Sequence, residues 1–159
     1  IYSSGTTGTP KGIIHSHGMR WHQMAGGFKS IYSRDTRSLV STPLYSNTTL
    51  AVFLPTICHG GFARIMEKFD ALAYLDHAQT DQTTHTMLVP VQYQRLLAHA
   101  DFGNYDLSSF IVKFCTSAPL ETRNRWKRLD IHDAANCLAA PDNRVWPAQY
   151  FHLTDVAGH

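Results

Sequence analysis

Between residues 39 and 115, short apolar runs alternate with longer segments of helical period. No other feature limits the fold as strongly. The runs at 39–42, 62–66, 84–89 and 110–115 are rich in apolar and β-branched residues and read as strands. Between them lie segments with helix-start chemistry. Asn47 or Thr48 opens a helix through Leu50, Phe53, Leu54 and Ile57, which Pro55 should bend and His59-Gly60-Gly61 should stop. Asp70 caps a helix with Leu72, Leu75 and Ala78 on one face. Pro90 suits the first turn of a helix over 91–100. Strands separated by helices call for βαβ units and a parallel sheet. Such a sheet binds ligands at the loops beyond the carboxyl ends of its strands.

Upstream of this alternation is the run Ile1-Tyr2-Ser3-Ser4-Gly5-Thr6-Thr7-Gly8-Thr9-Pro10-Lys11-Gly12. A strand end over 1–3 enters a loop of small residues and leaves as a short extended stretch over 12–14. Ser16 then caps a helix through Met19, Trp21, Met24 and Phe28, weakened by Gly26 and Gly27. The glycines let backbone N–H groups come close to a ligand. Ser3, Ser4, Thr6, Thr7 and Thr9 add hydroxyl donors, and Lys11 adds a point charge suited to phosphate. A concave backbone with one cation is an anion site, most naturally for a polyphosphate. The Walker A loop does not fit: Gly5 and Gly8 are too close together, and Pro10 precedes the lysine. A plain Gly/Ser/Thr linker has no need of the Pro-Lys-Gly ending.

The run Tyr2–Gly12 resembles the phosphate loop of the adenylate-forming superfamily, which includes acyl-CoA synthetases, luciferases and the adenylation domains of peptide synthetases. Two later segments keep the family's order. Residues 41–49, Ser-Thr-Pro-Leu-Tyr-Ser-Asn-Thr-Thr, resemble the segment that opens the acyl-pocket helix of acyl-CoA synthetases; many relatives have His where Ser46 stands. Ser117-Ala118-Pro119-Leu120 resembles the Gly-Ala-Pro-Leu turn that lies against adenine, with Ser117 replacing a glycine. The resemblance implies an α/β fold: a partial parallel-sheet βα subdomain of the large N-terminal domain of adenylate-forming enzymes. It implies ATP, Mg²⁺ and coenzyme A as cofactors and a small-molecule carboxylic acid as substrate. Ser3, Ser4, Gly5, Thr6, Thr7, Gly8, Thr9 and Lys11 would hold the ATP phosphates. Ser117, Ala118 and Pro119 would flank adenine, and Tyr45, Ser46 and Phe53 would border the acyl pocket.

The resemblance spans roughly residues 1–120, read as a partial AMP-binding domain. Residues 121–159 read as a divergent tail: a helix over 121–128, then a stretch with Pro141 and Pro147 and no clean period. The family's Tyr-Gly-x-Thr-Glu motif, whose Glu binds magnesium, has only a faint echo at 150–155, with Asp155 in the acidic place. The C-terminal domain with its adenylation lysine is absent from this stretch. The expectation is therefore a fragment, incomplete for catalysis alone, with a tail that a shifted reading frame or truncated gene would explain. The alternatives are a remnant with weak or no nucleotide binding, or an interaction module that pairs with a complementary fragment.

Composition removes other classes. Hydrophobic residues make up 43% of 159, enough for one domain with a core, and a formal charge of +2 is too small to indicate nucleic acid or a membrane surface. The cluster Arg123, Arg125, Lys127 and Arg128 reads as a solvated helix face. Cys58, Cys115 and Cys137 are scattered, with no C-x-x-C. With no signal peptide, this points to a reducing cytoplasm. The longest apolar stretch, 50–58, is too short to span a bilayer.

Other catalytic patterns do not assemble. His15, His17 and His22 lack the spacing and the acidic or cysteine partners of a zinc site, so no metal ligands are assigned. There is no G-x-S-x-G elbow. Cys115 reads as a buried strand cysteine rather than half of a pair with His99 or His132, and Asp70, Asp76 and Asp81 read as helix caps or decoration. Trp21, Phe28, Phe53 and Phe62 read as core, with Phe53 also able to line an acyl pocket.

Overall fold

The computed structural model describes residues 2–3, 11–27, 31–115 and 132–133. Strands β1 (Tyr2–Ser3) and β2 (Lys11–Gly12) form an antiparallel pair. Helix α1 (His17–His22) continues as a π-helical turn over Gln23–Gly27. Then come β3 (Arg37–Val40), α2 (Asn47–Cys58), β4 (Phe62–Ile65), α3 (Ala71–Thr80), β5 (His85–Leu88) and α4 (Pro90–Ala98). A 3₁₀ turn over Ala100–Asn104, β6 (Val112–Cys115) and β7 (His132–Asp133) follow. The second sheet has five strands in the order β4-β3-β5-β6-β7, and each neighbouring pair is parallel.

The chain reverses its winding direction at β3. It moves outward to β4, crosses back over β3 to β5, and continues away to β6. Crossovers of one hand then put helices on opposite faces of the sheet. The cores bear this out. Leu39, Leu88 and Cys115 meet Tyr74, Leu75 and Ala78 of α3 and Tyr93 and Leu96 of α4. Met87, Val112 and Phe114 meet Ala51 and Val52 of α2 on the other face. Alternation along β5 and β6 follows from the two-residue side-chain period of a strand. All four residues of β5 are buried, as a strand covered on both faces requires, whereas β4 is an edge strand and leaves Phe62 and Ile65 partly exposed.

Local chemistry sets the helix ends. Ser16 Oγ accepts from the Met19 N–H at 3.1 Å, and Asp70 Oδ1 accepts from the Ala73 N–H at 2.9 Å. The stop after α2 is a Schellman turn: Gly61 N–H donates to Thr56 O at 2.9 Å and Gly60 N–H to Ile57 O at 3.0 Å, with Gly60 at φ 77°. Helix α2 continues through Pro55, and Thr56 Oγ1 donates to Val52 O at 2.7 Å just beyond it. Asp70→Ala should lower stability by about 1 kcal/mol, measured as a shift in urea midpoint; no shift would contradict the capping role.

Three expectations of burial need correction. Trp21 is 60% exposed, because α1 buries none of its residues. Phe62 is 43% exposed at the sheet edge, and the Arg37 guanidinium covers its ring at 5.0 Å. On α3 the buried set is Tyr74, Leu75 and Ala78, while Leu72 faces outward. Phe53 is half-buried, and Phe28 lies outside the described residues. No described helix is long and apolar enough to cross a membrane.

Candidate functional site

The run 2–12 is joined at its two ends. Ser3 pairs with Lys11 and Tyr2 with Gly12 across β1 and β2, so the backbone at the two ends of the loop is joined by a short ladder. Ser4, Gly5, Thr6, Thr7, Gly8 and Thr9 lie outside the described residues, as do Ser117, Ala118 and Pro119. In sequence the last three come one residue after Cys115, the carboxyl end of β6, with Thr116 between. The echo at 150–155 is also outside.

The chain leaves this ladder for α1, and α1 is fastened to the amino end of α2. Arg20 Nη2 donates to Asn47 Oδ1 at 2.8 Å, and Arg20 Nη1 donates to Gln23 Oε1 at 2.8 Å. Both acceptors are neutral carboxamides. Partial burial of the guanidinium lowers the Arg20 pKa. His15 is also pushed below the ordinary 6.5, first by burial and then by the Arg20 charge. This clamp escaped the sequence reading. Asn47 was legible as a helix opener, but nothing local pairs it with a residue 27 positions earlier.

Helix α2 begins beyond the carboxyl end of β3, where the strand order reverses. In an open α/β sheet the binding crevice lies there. Polar contacts fix this end of the sheet. Thr42 Oγ1 and Thr49 Oγ1 are 2.6 Å apart, Gln92 Nε2 donates to Ser41 Oγ at 3.3 Å, and Gln92 Oε1 accepts from Val89 N–H at 3.1 Å. Ser41 and Gln92 therefore bridge the strand ends on either side of the reversal. Tyr45 is 81% exposed on the turn before α2. Ser46 is the N-cap of α2, and its hydroxyl makes no capping bond. Phe53 is two turns further along the same helix. Tyr45, Ser46 and Phe53 thus sit on the turn and helix that follow β3. Among the described residues, no three His, Cys, Asp or Glu side chains converge as metal ligands.

The sequence profile of the AMP-binding enzyme family matches residues 1–132. Feruloyl-CoA synthase of Amycolatopsis sp is 34% identical over 122 residues, covering 76% of this chain and 25% of that protein. A medium/long-chain-fatty-acid–CoA ligase of Mycobacterium tuberculosis is 37% identical over 114 residues, covering 68% of this chain and 19% of that protein. Among solved structures, o-succinylbenzoate coenzyme A synthetase from Bacillus subtilis in complex with AMP matches with a TM-score of 0.69 at 19% identity, covering 82% of this chain and 34% of that one. A red-emitting luciferase from Phrixothrix hirtus matches with a TM-score of 0.69 at 27% identity, covering 83% of this chain and 26% of that one. The chain thus spans about a quarter of the length of the curated relatives it matches. The doubly wound sheet, the pairing of Ser3 with Lys11 and the family match over residues 1–132 agree: the chain belongs to the AMP-binding enzyme family.

Proposed function

We propose that this chain carries the phosphate-binding and adenine-facing part of an ATP-dependent carboxylic acid–CoA ligase. The observation that carries the reading is the pairing of Ser3 with Lys11. It joins the ends of a Gly/Ser/Thr run, ahead of a sheet whose order reverses beside α2. The acid–CoA ligases among its relatives support the reaction class.

In the reaction the acid's carboxylate oxygen attacks the α-phosphorus of ATP, and the bond to pyrophosphate breaks. Negative charge builds on the departing pyrophosphate. Backbone N–H groups of residues 4–9, the hydroxyls of Ser3, Ser4, Thr6, Thr7 and Thr9, and the Lys11 ammonium take up that charge. Ser117, Ala118 and Pro119 flank the adenine; Tyr45, Ser46 and Phe53 border the acyl group. In the second step the thiol of coenzyme A attacks the acyl carbonyl and AMP leaves. Mg²⁺, which the family implies, finds no ligand cluster among the described residues, and no step is assigned to it. Residues 1–120 form the AMP-binding part in this reading, with a cytoplasmic setting.

Titration of the 159-residue chain with ATP by calorimetry tests the proposal. Saturable binding is expected, and Lys11→Ala should weaken it roughly tenfold or more, the effect of removing a charge-assisted phosphate contact. Equal dissociation constants for the two proteins would contradict the phosphate role. A second reading, an interaction module, draws on the β4 edge, where Phe62 and Ile65 are 43% and 46% exposed. It predicts that a complementary stretch of a relative, added in trans, slows exchange of the β4 amides without any need for ATP.

A further inference from the structure

Helix α1 buries none of its side chains, yet it stands between two parts of the site. Residues 13–16 join it to the paired strand β2, and the π-helical turn at its carboxyl end packs against α2. A helix of six residues is too short to be stable alone in water. With no buried face of its own, α1 is held in place by a polar clamp.

Arg20 is that clamp. Its Nη1 donates to Gln23 Oε1 and its Nη2 to Asn47 Oδ1, each at 2.8 Å. Gln23 is itself only 7% exposed, so one arm of the planar guanidinium rests on a fixed post. The other arm reaches the first residue of α2. The bond to Asn47 is partly buried and has a charged donor, which places it among the stronger hydrogen bonds. A second tie on the same turn of α2 joins Thr49 Oγ1 to Thr42 Oγ1 at 2.6 Å, just past the end of β3. The N-cap, Ser46, adds no side-chain capping bond. The start of α2 is thus held to the sheet through Thr49 and to α1 through Asn47.

The chain therefore offers a continuous mechanical route. It runs along the backbone from the run 2–12 to α1, and across the Arg20–Asn47 bond to the turn that carries Tyr45 and Ser46. We propose that Arg20 is a positioning residue that couples the two ends of the site: phosphate bound by residues 3–11 fixes α1, and Arg20 passes that order through Asn47 to the acyl-end turn. This inference rests on the phosphate reading of residues 3–11. The two states are α1 clamped on α2 and α1 detached from it, and a ligand that orders the run favours the first. By reciprocity, an occupied acyl end tightens phosphate binding.

The test is heteronuclear NMR of the 159-residue chain titrated with inorganic pyrophosphate. In the wild type, saturable shifts of the Gly5 and Gly8 amides should be accompanied by shifts of the Tyr45 and Ser46 amides with the same concentration dependence. In Arg20→Leu the glycine shifts should remain, with a dissociation constant changed by no more than about fivefold, the low end of coupling between sites. The Tyr45 and Ser46 responses should be lost. Asn47→Leu should give the same pattern, and the double variant should match either single one, as residues acting through one bond do. Asn47→Asp keeps an acceptor in place and should keep the response. Arg20→Lys supplies a point charge that cannot span both carboxamides and should not. Slow exchange of the β5 amides checks that each variant is folded. A purely structural role would change stability without separating the glycine responses from those of Tyr45 and Ser46. Responses at Tyr45 and Ser46 that persist in Arg20→Leu and Asn47→Leu, or that never arise in a wild type whose glycines shift, overturn the coupling alone. Glycines that do not respond overturn the phosphate reading, and the coupling with it.

Discussion

Leu88→Ala should lower the unfolding free energy by about 2–5 kcal/mol, a large share of the roughly 5–15 kcal/mol that holds a domain together. Leu88 is fully buried at the end of β5. It packs in one cluster with Leu39 and Cys115 from the neighbouring strands and with side chains of α3 and α4. Truncation removes apolar contact on several sides at once. The fixed sheet beneath it cannot move in to fill the gap, so cavity cost adds to lost transfer energy. Leu72→Ala on α3 is the control. Leu72 lies on the outward face of that helix, and its replacement should change stability by no more than about 0.5 kcal/mol. Urea unfolding of both variants measures the contrast, and similar small effects would contradict the placement of the core.

The second large effect is loss of stability on mild acidification, through His85. The ring is buried at the start of β5, 4.7 Å from the ring centre of Tyr32. Its Nε2 lies 2.8 Å from Ile31 O and its Nδ1 2.8 Å from Thr84 Oγ1. The carbonyl requires Nε2–H, which leaves Nδ1 to accept from the threonine hydroxyl in the neutral ring. Burial lowers the His85 pKa below 6.5, opposed in part by the Ile31 carbonyl. The unfolded chain therefore takes up a proton before the folded one does. The contribution is intact above about pH 6.5 and shrinks as pH falls from there toward the lower folded pKa. His15, lowered in the same direction, adds to that slope. Asp81 adds a separate loss in stronger acid: hydrogen bonding to Arg64 holds its carboxyl below 3.8, and protonation there releases the pair. Urea midpoints at pH 7.5 and pH 5.5 should differ measurably in the wild type, and the difference should shrink in His85→Leu. An unchanged difference would assign the pH dependence elsewhere.

The parts of the fold that were legible in the sequence depend on short-range chemistry. Ser16, Asp70 and Gly60 act within one turn, and each ends its helix as its residue type requires. The apolar run at 84–89 became β5, whose four residues are all buried, because a strand covered on both faces needs continuous apolar character; the runs of β3 and β6 are mostly buried beside it, and that of β4 lies at the sheet edge. Burial was less legible, since it depends on which partner arrives. Trp21 has the character of a core residue, but α1 packs no buried side chain, and Phe62 falls on an edge that sequence alone does not mark. The site divides in the same way. Lys11 and the composition of the run read as an anion site from sequence alone, whereas the backbone pairing of Ser3 with Lys11 is a feature of the fold. The Arg20–Asn47 clamp and the Ser41–Gln92 bridge join residues far apart in the chain and needed the fold to be seen. β7, paired in parallel with β6, arises in a stretch without periodicity, where two residues are too few to carry a pattern.

The most direct measurement of the central claim is the response of the Gly5 and Gly8 amide resonances to ATP, inorganic pyrophosphate and adenosine. A phosphate loop built on backbone N–H groups predicts saturable shifts of both amides with ATP and pyrophosphate, and none with adenosine. Equal responses to all three compounds, or none to ATP in a chain whose β5 amides remain protected from exchange, would contradict the assignment of residues 3–11 to the nucleotide phosphates.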